Sequence, residues 1–150
     1  MMIHPCIPLV LAPETKCILV GNGPSLLKQA KGREIDTFDE VVRFNRFRIH
    51  GFESFTGMRT TLWSTFGHGY LPGDDQVRPE RIIFVQGERG EPAYQGKEIH
   101  RIPDFFYNEC KQRVLKRTTG NPNKIGMTSG YLVALWMLEV VGLKQIVLSG

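Results

Sequence analysis

The stretch Lys16-Cys-Ile-Leu-Val-Gly-Asn-Gly-Pro-Ser25-Leu-Leu constrains this chain more than any other. Residues 17–20 form a short apolar run with β-branched members, which fits a strand buried on both faces. Gly21-Asn22-Gly23 follows, a sequence that tolerates positive φ and lets the backbone turn sharply and approach a ligand. Pro24 suits the first position of a helix, where its missing N–H costs nothing. A strand, a glycine turn and a helix N-terminus in succession present free N–H groups and a favourable dipole to a phosphate. The same residues also serve a tight strand–helix turn without a ligand. Leu26 stands where the last glycine of a GxGxxG fingerprint would be.

The rest of the chain alternates. Strands are predicted at residues 17–20, 41–45, 59–65, 81–86, 98–102 and 143–148, with helices after Pro24, over 104–115 and over 131–141. Lys31-Gly32 reads as the stop of the first helix, and residues 46–58 as an irregular connection. Thr128 or Ser129 can cap the last helix and Gly142 can end it. That helix is apolar nearly all round and is expected against the sheet. Alternating strands and helices argue an α/β fold, a mostly parallel sheet with helices on both faces. Residues 1–15, broken by Pro5, Pro8 and Pro13, read as a loose lead-in, and residues 16–150 as one domain.

Ligands of such sheets bind beyond the carboxyl ends of the strands. Asn22, Asn45, Ser64, His68 and Ser129 would collect there. Asn45 stands where a dinucleotide-binding unit carries the acidic residue that holds a ribose. An amide both donates and accepts, and it does not repel a phosphate. Leu26 and Asn45 together disfavour a dinucleotide oxidoreductase. The hydroxyls and free N–H groups at Thr128-Ser129-Gly130 make a second anion-friendly site, or a plain cap.

Charge and cysteine content exclude several classes. A net charge of +4 permits an anionic ligand. The basic run Lys111, Arg113, Lys116, Arg117 and Lys124 carries no interleaved aromatic pattern, so it reads as a solvated face and no nucleic acid is expected. Three widely spaced cysteines fit neither a disulfide framework nor a zinc site and suit a reducing compartment. The apolar patch at residues 7–12 is too short to span a membrane. Asp74-Asp75 lacks the partner ligands of a metal site, and none is expected. The location these features suggest is cytoplasmic, or peripheral to the cytoplasmic membrane face.

Four blocks in order, Ile-Leu-Val-Gly-Asn-Gly-Pro-Ser-Leu, Val-Val-Arg-Phe-Asn, Met-Thr-Ser-Gly-Tyr and Lys-Gln-Ile-Val-Leu-Ser-Gly, resemble the CMP-sialic-acid-dependent sialyltransferases. The likeness is to the bacterial enzymes and, more distantly, to the large and small sialylmotifs of the animal ones. It covers residues 16–65 and 125–150. It implies a Rossmann-like fold, with the C-terminal part missing, that takes CMP-sialic acid as donor and a glycan as acceptor without metal or cofactor. By position, Asn22, Gly23 and Ser25 would hold the CMP phosphate and ribose, and Asn45 the nucleotide near its phosphate. Thr128, Ser129 and Gly130 would meet the sialic acid carboxylate and the cytidine. Ser64 takes the place of a second substrate-binding asparagine. The base histidine and phosphate-binding tyrosines of the family fall beyond the last strand of this chain. His68 is therefore the one stand-in base among these residues. A non-catalytic nucleotide-binding module and a pterin pyrophosphokinase-like enzyme, which also starts from Gly-x-Gly-Pro-Ser, are the alternatives.

Overall fold

A computed structural model describes residues 7–66, 79–85, 98–121, 123 and 126–150. His68, Asp74 and Asp75 lie outside them. In chain order the elements are β1 (Cys17–Val20), a 3-10 turn (Pro24–Lys28), α1 (Gly32–Ile35), β2 (Glu40–Phe44), α2 (Glu53–Thr56), β3 (Leu62–Thr65) and β4 (Arg81–Phe84). Then come β5 (Glu98–Arg101), α3 (Asp104–Leu115), α4 (Ser129–Trp136), which continues as a π-helical turn over Met137–Val141, and β6 (Ile146–Ser149). The six strands make one sheet in the order β5-β4-β3-β2-β1-β6, with every pair parallel.

Over β1 to β4 the sheet is covered on both sides, as its unbroken apolar strands require, whereas Val147 and Leu148 of the edge strand β6 are exposed. On one face Leu19, Val42, Leu62 and Ile83 pack under Phe106 and Cys110 of α3 and Leu132, Val133, Trp136 and Met137 of α4. On the other, Ile18, Val20 and Val41 meet Ile35 of α1. Trp63, Ile82, Phe84 and Ile99 on that face are covered by Phe47 and Ile49. The connection at residues 46–58 is thus part of the core, and it carries α2. Each such aliphatic side chain, fully buried, contributes about 1.5–3 kcal/mol before entropy is counted.

Arg43 points into the same face of the sheet as Val41 and is 1% exposed. Its guanidinium donates to the Thr56 carbonyl at 2.8 Å, to the Arg59 carbonyl at 2.8 Å and, through Nε, to Thr60 Oγ1 at 3.0 Å. Burial pulls it down to about 10, with the charge of Asp36 acting the other way. These bonds hold residues 56–60 out of β3, which is why that strand begins at Leu62 and not at Arg59.

Two further local readings differ from the sequence expectation. Gly32 opens α1 instead of ending a helix, and it is glycine because a Cβ there would lie 2.1 Å from the Glu53 carbonyl oxygen. The segment after Pro24 is a five-residue 3-10 turn with Gly23 as its N-cap, so it gathers little dipole. The lead-in has no helix or strand over residues 7–15 and is nonetheless tied down. The Ile7 N–H donates to the Ile99 carbonyl at 3.1 Å, Lys144 N–H donates to the Pro13 carbonyl at 3.0 Å, and Leu9 is buried in the core.

Among the basic residues, Arg113 is paired with Glu139 at 2.7 Å and Glu109 at 2.6 Å, and those bonds, Glu139 first, raise its pKa. Among the described residues no helix is long and apolar enough to cross a membrane, and no group of three or more His, Cys, Asp or Glu could hold a metal ion.

Candidate functional site

β1 is flanked by β2 on one side and β6 on the other. The chain runs outward from β1 through β2, β3, β4 and β5, then returns by α4 to place β6 on the opposite edge. The strand order therefore reverses between β1 and β6, and the crevice beyond their carboxyl ends is where such sheets bind ligands. A cavity of about 680 Å³ lies there. Its described walls come from four places: Gly21 and Asn22 after β1, Phe44 and Asn45 at the end of β2, Thr128 to Tyr131 at the start of α4, and Leu148 to Gly150 at the end of β6.

The glycines after β1 are needed for a reason other than φ. Among the described residues positive φ is confined to Asn45 and four other glycines, and Gly23 has φ −71°. What they permit is close approach: a Cβ on Gly21 or Gly23 would lie 3.0 or 2.9 Å from the Gly150 carbonyl oxygen. Gly150, with φ +88°, faces Gly21 in turn. The turn after β1 and the end of β6 are in backbone contact, which closes one wall of the cavity.

Asn22 bridges two strand ends, its Nδ2 donating to the Phe44 carbonyl at 2.8 Å. Asn45 follows β2 with φ +49°, a left-handed conformation that asparagine adopts more readily than most residues. Its N–H donates to the Ser64 carbonyl at 2.8 Å, and its own carbonyl accepts from Trp63 Nε1 at 2.8 Å. Asn45 Oδ1 is buried and has no partner among the described residues.

At α4, Thr128 is the N-cap and its Oγ1 accepts from the Tyr131 N–H at 3.2 Å. The first N–H groups of a helix have no acceptor within it, so those of Ser129 and Gly130 are left to face the cavity end. Ser129 Oγ is buried without a partner among the described residues. Ser64 Oγ is too, on the sheet face that carries α4, although Ser64 does not line the cavity. Leaving a buried polar atom unpaired costs about 1–3 kcal/mol, so orphan atoms gathered at a cavity mark a place for a polar ligand or water.

The structure thus brings Asn22, Asn45, Thr128, Ser129 and Gly130 around one cavity. Gly23 packs against Gly150, Ser25 is exposed on the 3-10 turn, and neither lines it. Tyr131, 43% exposed, is a wall residue that sequence reading took only as helix, and a tyrosine at N3 carries no signal that separates the two. Among the described lining residues Tyr131 is also the sole titratable side chain.

A six-stranded parallel sheet with a cavity at its switch point defines a Rossmann-like α/β domain. Residues 8–81 match the family model of glycosyltransferase family 29 (sialyltransferase). The chain is 29% identical over 133 residues to the CMP-N-acetylneuraminate-beta-1,4-galactoside alpha-2,3-sialyltransferase of Homo sapiens, a match of 85% of this chain and 34% of that one. A second stretch of likeness, 41% identity over 50 residues, is to the type 2 lactosamine alpha-2,3-sialyltransferase of Pongo abelii and covers 33% of this chain and 15% of that one. The fold is that of a mammalian sialyltransferase crystallised with Gal-beta-1-3GalNAc-ortho-nitrophenol, with a TM-score of 0.67 at 19% identity over 91% of this chain and 55% of that one. The chain spans about a third of the length of the first of these relatives and less of the second.

Proposed function

We propose that this chain is the donor-binding part of a sialyltransferase, which transfers sialic acid from CMP-sialic acid to a glycan hydroxyl. The observation that carries the reading is the cavity at the β1–β6 switch point, where an apolar wall of Leu19, Phe44, Ala134 and Leu148 carries the amides of Asn22 and Asn45 and the hydroxyls of Thr128 and Ser129, with Asn45 Oδ1 and Ser129 Oγ buried and, among the described residues, unpaired. Such a lining suits a phosphodiester flanked by two polyhydroxylated groups. Its described side chains supply neutral donors and acceptors and set no side-chain carboxylate beside a phosphate. The family match and the activities of the relatives support the same choice.

In the reaction the acceptor oxygen attacks the anomeric carbon of sialic acid while the bond to the CMP phosphate oxygen breaks. Negative charge grows on the departing phosphate. The Ser129 and Gly130 N–H groups, at the positive end of α4, stabilise it without reorganisation, usually the largest electrostatic contribution. Asn22 and Asn45 hold the nucleotide side. A base takes the acceptor proton, and His68 is our candidate for it within this chain. No metal or cofactor enters the scheme. The assignment of Gly23, Ser25 and Ser64 to the donor, and the closer tie to the bacterial enzymes, rest on the four sequence blocks.

Isothermal titration with CMP and with NAD tests the reading. Binding of CMP in preference to NAD is expected, and NAD binding without CMP binding would refute it.

A further inference from the structure

We infer that Trp63 is a positioning residue for the candidate site, its indole N–H fixing the left-handed turn that turns Asn45 toward the cavity. Along β2 the side chains alternate: Val42 and Phe44 lie on the face covered by α4, while Val41 and Arg43 lie on the other. Continued extended backbone would send position 45 to the Arg43 side, away from α4. The reversal to φ +49° breaks that alternation, and Asn45 lines the cavity with Phe44 and the start of α4.

A left-handed non-glycine residue costs about 1–2 kcal/mol unless its surroundings hold it. Two bonds do so from β3. The Ser64 carbonyl accepts the Asn45 N–H, a contact that an extended residue in a parallel ladder would make as well. The Trp63 bond is different in kind, because a side chain from the opposite face of the sheet reaches up to the Asn45 carbonyl at 2.8 Å. Trp63 is 2% exposed and wedged among Phe47, Ile49, Ile82 and Phe84, so its indole has little freedom to release that carbonyl. The large buried ring therefore sets the geometry at a site it does not itself line.

The inference rests on the donor-site reading only in the ligand used as probe, CMP. Trp63→Phe removes the N–H and keeps a buried ring; 3-benzothienylalanine at position 63 keeps the whole shape without the N–H and serves if the phenylalanine variant does not fold. In either variant the backbone of Asn45, followed by NMR couplings and chemical shifts, is expected to leave the positive-φ region for at least part of the population. CMP affinity is expected to fall roughly three- to tenfold, the worth of one hydrogen bond. Combined with Asn45→Ala, either change at position 63 should weaken CMP no further than Asn45→Ala alone, an outcome that a general loss of packing would not give. Asn45 held wholly at positive φ in the variants, or losses that add in the double variant, would overturn the role of Trp63. Failure of the unmodified protein to bind CMP would instead refute the donor reading, and the NMR result would still decide the role of Trp63.

Discussion

Asn45 carries two separable demands, a backbone that must be left-handed and an amide that must be neutral. Replacing it with aspartate keeps the first, since aspartate also tolerates αL, and puts a carboxylate where the proposed phosphate lies. At about 4–5 Å in a partly exposed site that repulsion is worth about 1–2 kcal/mol, so Asn45→Asp should weaken CMP roughly 5- to 30-fold and Asn45→Ala less. Equal affinities in titration would mean that Asn45 does not face the phosphate. Cys17 offers a test of a different kind. Burial first, then the nearby Glu40 carboxylate, push its thiol up to about 12 from an ordinary value of 9.0. Between those two values the unfolded chain has released the proton and the folded chain still holds it. The folded state binds more protons there, so stability falls as pH rises through the window, by up to about 1.4 kcal/mol per pH unit from this group. Denaturant titrations at pH 9 and above should show that slope, and Cys17→Val should reduce it. Cys17 and Cys110 are both buried thiols, and alkylation of either should follow unfolding. Asn45 as a candidate was legible from its spacing after the glycines. Its φ and its tie to Trp63 were not, because both depend on β3 lying beside β2.

Among the elements, α4 concentrates most of the proposed chemistry, and its cap can be tested apart from its ligand. Thr128→Ala removes the acceptor for the Tyr131 N–H and should cost about 1 kcal/mol of stability in denaturant melts, whereas Thr128→Ser should cost much less. If the Thr128 hydroxyl served only the ligand and not the helix, the alanine variant would melt like the unmodified protein. The strands and α3 were readable because each is a run of one period, apolar or helical, long enough to show it, although β6 leaves Val147 and Leu148 exposed. The one-turn helices α1 and α2 were not, since four residues do not display a 3.6 period. Gly142 was recognisable as a stop, and it does end the helix with φ +87°. The widening to a π turn over Met137–Val141 left no mark in an apolar run. Gly21 and Gly23 do not take the positive φ that the sequence suggested, and their need for a bare Cα is set by Gly150, more than a hundred residues along the chain.

At the scale of the whole molecule, alternation of strands and helices specified a parallel sheet but not its order. Placing β6 beside β1 brings Gly150 against Gly21 and lines the crevice with the start of α4, and that juxtaposition is a property of the crossover alone. The fold thereby separates two capacities. Binding needs the amides, hydroxyls and N–H groups that the described cavity walls supply. Transfer also needs a base, which contributes about 10²–10⁴-fold, and the described walls offer no titratable side chain besides Tyr131. Residues 1–150 produced alone should therefore bind CMP yet transfer sialic acid slowly, with hydrolysis of the donor outlasting transfer because water needs less positioning than a sugar acceptor. His68→Ala and Tyr131→Phe, assayed for transfer and hydrolysis beside the unmodified protein, separate the sources of a base. Ordinary enzymatic turnover abolished by His68→Ala would make His68 the base and end the expectation of slow transfer. Ordinary turnover untouched by both variants would place the base on neither residue and refute the His68 assignment. Slow transfer that falls further in His68→Ala and not in Tyr131→Phe, with CMP affinity intact in all three proteins, is the result expected of His68 as an inefficient stand-in base.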